Sequence, residues 1–369
     1  MNKKVMSLGL VSTALFTLGG CTNNSSKQTT DNSLKIAMIT NQTGIDDKSF
    51  NQSAWEGLQA WGKENKLEKG KGYDYFQSAN ESEFTTNLES AVTNGYNLVF
   101  GIGFPLHDAV EKVAANNPDN HFAIVDDVIK GQKNVASITF SDHEAAYLAG
   151  VAAAKTTKTK QVGFVGGMEG DVVKRFEKGF EAGVKSVDDT IKVRVAYAGS
   201  FADAAKGKTI AAAQYAEGAD VIYHAAGGTG AGVFSEAKSI NEKRKEEDKV
   251  WVIGVDRDQS EDGKYTTKDG KSANFVLTSS IKEVGKALVK VAVKTSEGQF
   301  PGGQITTFGL KEGGVSLTTD ALTQDTKKLL RLLKKRLSKE PSQFLKTKTV
   351  QYCPESSRTD FGLFNKGVK

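Results

Sequence analysis

From residue 34 onward the chain alternates short runs rich in β-branched and aromatic residues with stretches of helical spacing, as far as Thr278. The apolar runs cover 34–40, 97–101, 122–126, 161–165, 191–197, 220–224, 250–256 and 274–278. Between the first two, Phe50, Ala54, Leu58 and Trp61 fall on one face of a helix over 50–65. Repeated βα units of this kind predict an α/β chain with parallel sheets covered by helices on both faces, and the length accommodates two such sheets. At 38% hydrophobic residues, each domain has enough apolar surface for its own core.

In open parallel sheets a ligand sits beyond the carboxyl ends of the strands. Those ends are rich here in Asp, Gly and aromatic residues: Asp46, Asp47 and Phe50, then Gly101 to Phe104, Asp126 and Asp127, Gly166 and Gly167, Ala225 to Gly230, and Asp256. Asp126 is preferred to Asp127 for a site, because adjacent residues on a strand point opposite ways. The other carboxylate is then free to cap the following turn.

The N-terminus carries a different signal. Lys3 and Lys4 precede an apolar run from Val5 to Leu18, followed by Gly19, Gly20 and Cys21. This is the layout of a bacterial secretory signal with a lipoprotein cleavage site, so residues 1–20 are expected to be removed and Cys21 lipidated. Residues 22–33 are polar and read as a flexible tether. The folded part is expected on the extracytoplasmic face of the cell membrane, held by its lipid. With Cys21 committed to lipid, Cys353 has no partner for an internal disulfide.

The net charge of +5 conceals an asymmetry. Residues 327–369 hold twelve Lys/Arg against three Asp/Glu; with these and the two signal lysines set aside, residues 21–326 carry a net charge of −6. A mildly acidic body gives no reason to expect nucleic acid as a partner.

Four stretches carry a family resemblance: Asp47-Lys-Ser-Phe-Asn-Gln-Ser-Ala-Trp-Glu-Gly57, Gly199-Ser-Phe-Ala-Asp-Ala-Ala-Lys-Gly207, Ala226-Gly-Gly-Thr-Gly-Ala-Gly232 and Gly254-Val-Asp-Arg-Asp-Gln259. In this order, across residues 34–326, the chain resembles the basic membrane protein family of bacterial lipoproteins, the purine-nucleoside-binding components of ABC importers. The resemblance implies a type I periplasmic-binding-protein fold with two Rossmann-like lobes and a ligand cleft at a three-crossing hinge. The crossings are expected within several residues of Ser141, Thr278 and Phe308. This assigns 34–140 and 279–307 to an N-terminal lobe, and 141–278 and 308–326 to a C-terminal lobe. It also implies a monomer that works with a permease and an ATPase, and no cofactor.

A nucleoside needs flat apolar walls for its base and acceptors for its hydroxyl protons. By resemblance Phe50 and Phe201 stack on the base, with Asn51 a further contact. Asp47, Asp126 and Asp256 are suited to accept ribose or base donors. Lys282 neutralises Asp256 or donates to the ligand. Gly227, Gly228 and Gly230 let backbone amides approach the sugar. Phe104 lines the cleft or fills a lobe core, and Trp55 reads as core.

Enzyme signals are weak. Lys206-Gly-Lys-Thr209 looks like the end of a P-loop, but Ala202 stands where its first glycine belongs. The glycines of 227–232 miss the dinucleotide spacing. His107, His121, His143 and His224 are scattered, without the spacing of a zinc site. No metal is expected, and the chain does not read as an enzyme. The competing readings are a nucleoside hydrolase with a calcium-binding aspartate cluster, and a sugar-binding sensor or adhesin on the same fold.

The tail departs from the family. Residues after Thr326 suggest a basic amphipathic helix, which as a functional element would lie on anionic lipid. The preferred explanation is a shifted reading frame after about Lys328. The codons for Leu329 to Glu340 can, offset by one base, spell Ala-Ile-Glu-Ala-Ala-Lys-Lys-Ala-Ile-Ile-Glu-Gly, a helix of the family's usual composition.

Overall fold

A computed structural model describes residues 33–339. The signal-like segment, Cys21, the tether up to residue 32 and the tail from residue 340, including Cys353, lie outside the described residues.

The strands are β1 (Ile36–Ile39), β2 (Tyr73–Phe76), β3 (Leu98–Ile102), β4 (His121–Val125), β5 (Val135–Phe140), β6 (Gln161–Gly166), β7 (Lys192–Tyr197), β8 (Val221–Ala225), β9 (Trp251–Asp256), β10 (Lys264–Thr266), β11 (Ser272–Asn274), β12 (Val276–Lys282), β13 (Ile305–Phe308) and β14 (Val315–Leu317). One six-stranded sheet has the order β2-β1-β3-β4-β5-β13, and the other β7-β6-β8-β9-β12-β14. Every pair is parallel except β12 with β14, which is antiparallel, and the small hairpin β10-β11. The first five strands of the two sheets are topological copies in the doubly wound order 2-1-3-4-5, and each sheet adds one late strand at the edge, parallel in the first and antiparallel in the second.

The helices are α1 (Phe50–Glu64), α2 (Phe84–Thr93), α3 (His107–Asn116), α4 (Asp142–Thr156), α5 (Asp171–Val187), α6 (Ala204–Ala216), α7 (Gly230–Asn241), α8 (Val284–Ser296) and α9 (Gln324–Leu337). Strand β1 shows why the runs are apolar throughout. Ile36 and Met38 share one cluster with Ala54 and Leu58 of α1, while Ala37 and Ile39 share another with Phe84 and Leu88 of α2. A strand covered on both faces has no position left for a polar residue facing water. The second lobe repeats this, with Val165 and Ile222 packed in a cluster with Ala211 of α6 and Val233 of α7. Burying a Leu, Ile or Phe side chain contributes about 1.5–3 kcal/mol, so these layers hold each sheet together.

The chain crosses between sheets three times. The first crossing follows β5 at Ser141. The second follows Lys282 rather than Thr278, so residues 279–282 belong to the second sheet and not the first. Thr278, Ser279 and Ser280 are polar residues inside β12, not at a chain boundary. They are buried and satisfied: the Thr278 hydroxyl donates to the Thr318 carbonyl at 2.6 Å, and the Ser280 hydroxyl pairs with that of Tyr223 at 2.7 Å. The third crossing runs from Phe308 to Val315, where buried Glu144 of α4 accepts from the Leu310 amide at 2.7 Å. Strands β2, β5, β10, β11, β13 and β14 were not anticipated. Most of them are short or lie at sheet edges, where little apolar patterning is required.

The basic helix expected in the tail is present as α9, begun by Thr323, whose side chain accepts from the Thr326 amide. Leu330 and Leu337 are buried and the helix packs on α4, while Leu332 is exposed. The shifted-frame reading puts Ile at both buried positions but Ala at Leu329 and Leu333, which also pack on the core, so it keeps the seam's centre with less apolar bulk.

Candidate functional site

The carboxyl ends of both sheets converge on a cleft with about 510 Å³ of empty space, including its open mouth. Of the residues anticipated from sequence, Asp47, Phe50, Phe104, Asp126, Phe201, Asp256 and Lys282 line it; Asn51 and Gly228 do not.

The first lobe's contribution begins with a polar collar at the start of α1. Asp47 accepts from the backbone amides of Ser49, Asn51 and Gln52 at 2.9, 3.0 and 3.1 Å, and from the Thr43 hydroxyl and Asn51 side chain at 3.2 and 2.9 Å. A carboxylate at a helix N-terminus satisfies orphan amides and the helix dipole together. The carboxylate of Asp47 thus accepts from its own lobe while still lining the cleft. Asn51 is wholly buried, and its amide donates to Asn41 and Thr43 at 2.9 and 2.7 Å. It organises the collar without reaching the cleft. The same geometry sets Phe50, the first residue of α1, with its ring toward the cleft.

Gly103 precedes Phe104 with φ of +109°, a conformation side chains disfavour, and this turns the chain so that Phe104 enters the cleft. There it meets Phe201 of the other lobe edge-on, with ring centroids 6.0 Å apart. The two readings left open for Phe104 resolve to the cleft.

Asp126 directly follows β4 and Asp256 ends the equivalent strand β9, and both are left-handed, with φ of +67° and +68°. For residues bearing a Cβ this costs free energy, so the surroundings must hold it. Asp126 Oδ2 accepts from Lys282 Nζ at 2.5 Å, and its buried Oδ1 has no partner. Its neighbour Asp127 turns away, to His107 Nδ1 at 2.9 Å and the Val128 amide at 2.7 Å. Asp256 accepts a hydrogen bond from the Ser49 hydroxyl of the opposite lobe. Burial, reinforced by the nearby charges of Asp47 and Asp126, pushes the Asp256 carboxyl up to about 7 against the opposing pull of Lys282 and Ser49.

Lys282 is 2% exposed, and its ammonium lies between Asp126 and Asp142, whose Oδ1 is 2.9 Å away. The rings of Phe50, Phe140 and Phe176 surround it, with centroids 5.2, 4.9 and 5.4 Å away. Arg175 of α5 holds the other oxygen of Asp142 at 3.0 Å. Burial opposes the charge on Lys282, but Asp126, Asp142 and Asp256 outweigh it and hold its pKa above the usual lysine value. The hydrogen-bonded partner is thus Asp126; Asp256, expected to be neutralised by Lys282 if that ammonium did not donate to the ligand, feels its charge without that bond.

The glycine loop divides its roles. Gly227, with φ of +53°, lines the cleft. A Cβ on Gly228 would lie 3.2 Å from both the Phe201 carbonyl and the Thr43 methyl, so this glycine permits close approach between the lobes. A Cβ on Gly230 would lie 2.3 Å from the His224 ring, so there the missing side chain serves packing. Sequence reasoning missed Asn41, Thr43, Val172, Val173 and Phe176 on the cleft wall. Asn41 and Thr43 directly follow the first apolar run, a signal available in sequence. Val172 to Phe176 look like any helix core.

Two duplicated parallel-sheet lobes with a cleft between their strand ends define a solute-binding protein of the two-lobed type I class. Residues 34–351 match the family model of the ABC transporter substrate-binding protein PnrA-like, Bmp. Among curated proteins, the chain is 58% identical over 333 residues to the ABC transporter nucleoside-binding protein BmpA of Lactococcus lactis subsp. cremoris, covering 89% of this chain and 94% of the relative. It is 35% identical over 285 residues to basic membrane protein A of Borreliella burgdorferi, covering 76% and 78%. Among solved structures, an ABC transporter solute-binding protein from Aeropyrum pernix K1 superimposes with a TM-score of 0.72 at 24% identity, covering 84% of this chain and 92% of the other, a likeness of fold. The chain belongs to the Bmp family of ABC transporter substrate-binding proteins.

Proposed function

We propose that this protein is a lipid-anchored extracytoplasmic receptor that captures a purine nucleoside in the interlobe cleft and hands it to the permease of an ABC importer. The observation that carries the reading is the pairing of aromatic walls with a buried free acceptor. Phe50, Phe104 and Phe201 line the cleft with aromatic surface, and Asp126, which lines it too, has a buried Oδ1 without a protein donor. A base fits the first and a ribose hydroxyl the second. A charge-assisted hydrogen bond to such a carboxylate contributes about 1.5–3 kcal/mol. Asp256 supplies a second acceptor from the opposite lobe when ionised, and Lys282 holds Asp126 in place. Nucleoside recognition in the Lactococcus lactis relative supports this choice of ligand. The anchor is Cys21, after removal of residues 1–20.

Calorimetric titration of protein freed of carried ligand tests the reading, with adenosine, guanosine, inosine, uridine, free bases and ribose as titrants. Tight binding of purine nucleosides, weak binding of free bases and none of ribose is the expected pattern. Binding of ribose alone would transfer the assignment to a sugar receptor, and release of free base from a nucleoside to a hydrolase.

A further inference from the structure

Outside the cleft, a second set of contacts joins the lobes, and it is concentrated on one short loop. Lys48 sits between Asp47 and Ser49 with φ of +57°, a left-handed backbone that is uncommon for a residue with a long side chain. Both ends of Lys48 reach the opposite lobe. Its carbonyl accepts from Gln259 Nε2 at 3.1 Å, and its ammonium pairs with Asp262 at 2.5 Å.

Gln259 is built for this contact. It is buried, and its Oε1 accepts from the Val255 amide at 2.9 Å and faces His224 Nε2 at 3.0 Å. The backbone donor fixes which end of the amide is oxygen, so Nε2 points at Lys48. Burial lowers the His224 pKa to about 4, leaving a neutral ring whose Nε2–H donates to the same oxygen. Nearly two turns into α1, Glu56 pairs with Arg257 at 2.8 Å, again across the lobes. Lys48, Glu56, Arg257, Gln259 and Asp262 are all absent from the cleft lining.

We infer that Lys48 and Glu56 on one lobe, with Arg257, Gln259 and Asp262 on the other, form a clasp that holds the lobes shut and sets how fast cargo leaves without touching it. The inference rests on the cleft being the cargo site. The clasp is joined to that site at two points, since Lys48 lies between Asp47 and Ser49, and Arg257 follows Asp256. Its contacts exist only when the lobes are together, so their loss acts on opening and not on encounter. The ion pairs are partly exposed, so each contributes modestly and is weakened by salt.

Stopped-flow displacement of bound adenosine by excess inosine reads the clasp in the whole protein. Asp262→Asn and Glu56→Gln are each expected to raise the release rate roughly two- to five-fold, with the association rate and melting temperature nearly unchanged. Arg257→Glu should release faster still, and adding Glu56→Arg should restore slow release. Added salt should speed release from the wild type but not from the doubly neutralised protein. Unchanged release in both single variants, or no rescue by the swapped pair, would overturn the inference. If adenosine does not bind at all, the cleft assignment fails, and small-angle X-ray scattering then tests the clasp alone. Expansion of the neutralised variants relative to wild type supports it, and identical profiles overturn it.

Discussion

The two lobes share a strand order and a pair of left-handed aspartates, yet they line the cleft differently. The first mixes Asn41, Thr43, Asp47 and Asp126 with Phe50, Phe104 and Pro105, while the second is mainly apolar, with Val172, Val173, Phe176, Phe201, Ala225 and Val255 around Asp256 and Lys282. The divergence lies in the loop after the first strand of each sheet. After β1 the chain runs through a polar segment that Asp47 gathers onto the N-terminus of α1. After β6 it passes through a short glycine-bounded turn into α5, whose start has no side-chain cap and whose first turn places Val172 and Val173 directly after Asp171. A duplicated scaffold thus provides equivalent positions, and the connecting loops decide their chemistry. Even the matched aspartates differ: Asp126 has a lysine from the hinge, whereas Asp256 has only a hydroxyl from the opposite lobe.

That contrast is sharpest at Lys282. Lys282→Met leaves Asp126 and Asp142 buried without their shared cation, and stability should fall by about 3–5 kcal/mol in urea unfolding. A loss below about 1 kcal/mol would mean that Arg175 alone balances the hinge carboxylates.

The aspartates are separated next by pH. The Asp256 pKa is raised from 3.8 to about 7 on folding, so the folded state binds its proton more tightly than the unfolded chain. Asp256 therefore makes stability decline as pH rises from about 4 to about 7, by an amount on the order of 4 kcal/mol, with no further change above. Asp256→Asn should remove that decline, read as a flatter dependence of unfolding free energy on pH than in the wild type. Equal slopes would place the Asp256 carboxyl in the ordinary range. The smallest effect belongs to the collar: Asp47→Ala removes the cap of α1 and should cost about 1–2 kcal/mol, measured by thermal unfolding.

Much of the architecture was legible because a doubly covered parallel strand must be apolar along its whole length, as in 36–39 and 251–256. The same rule placed Asp126 and Asp256 at strand ends. What was not legible depended on contacts between distant segments. Nothing local says that the Asp47 carboxylate accepts from its own helix, that Asn51 points inward, or that Lys282 lies between Asp126 and Asp142. The hydroxyls of Thr278 and Ser280 within β12 are of the same kind, satisfied only once their distant partners Thr318 and Tyr223 are in place. Val172 and Phe176 were invisible because a helix face lining a cleft has the periodicity of one lining a core.

The central claim is that the aromatic slot takes a purine base while Asp126 takes a ribose hydroxyl. A crystal structure of the protein with inosine tests it most directly. The account predicts the base between the rings of Phe50 and Phe201, with a ribose hydroxyl within hydrogen-bond distance of Asp126 Oδ1. A nucleoside bound elsewhere, or in the cleft with Asp126 Oδ1 left without a donor from it, would contradict the account.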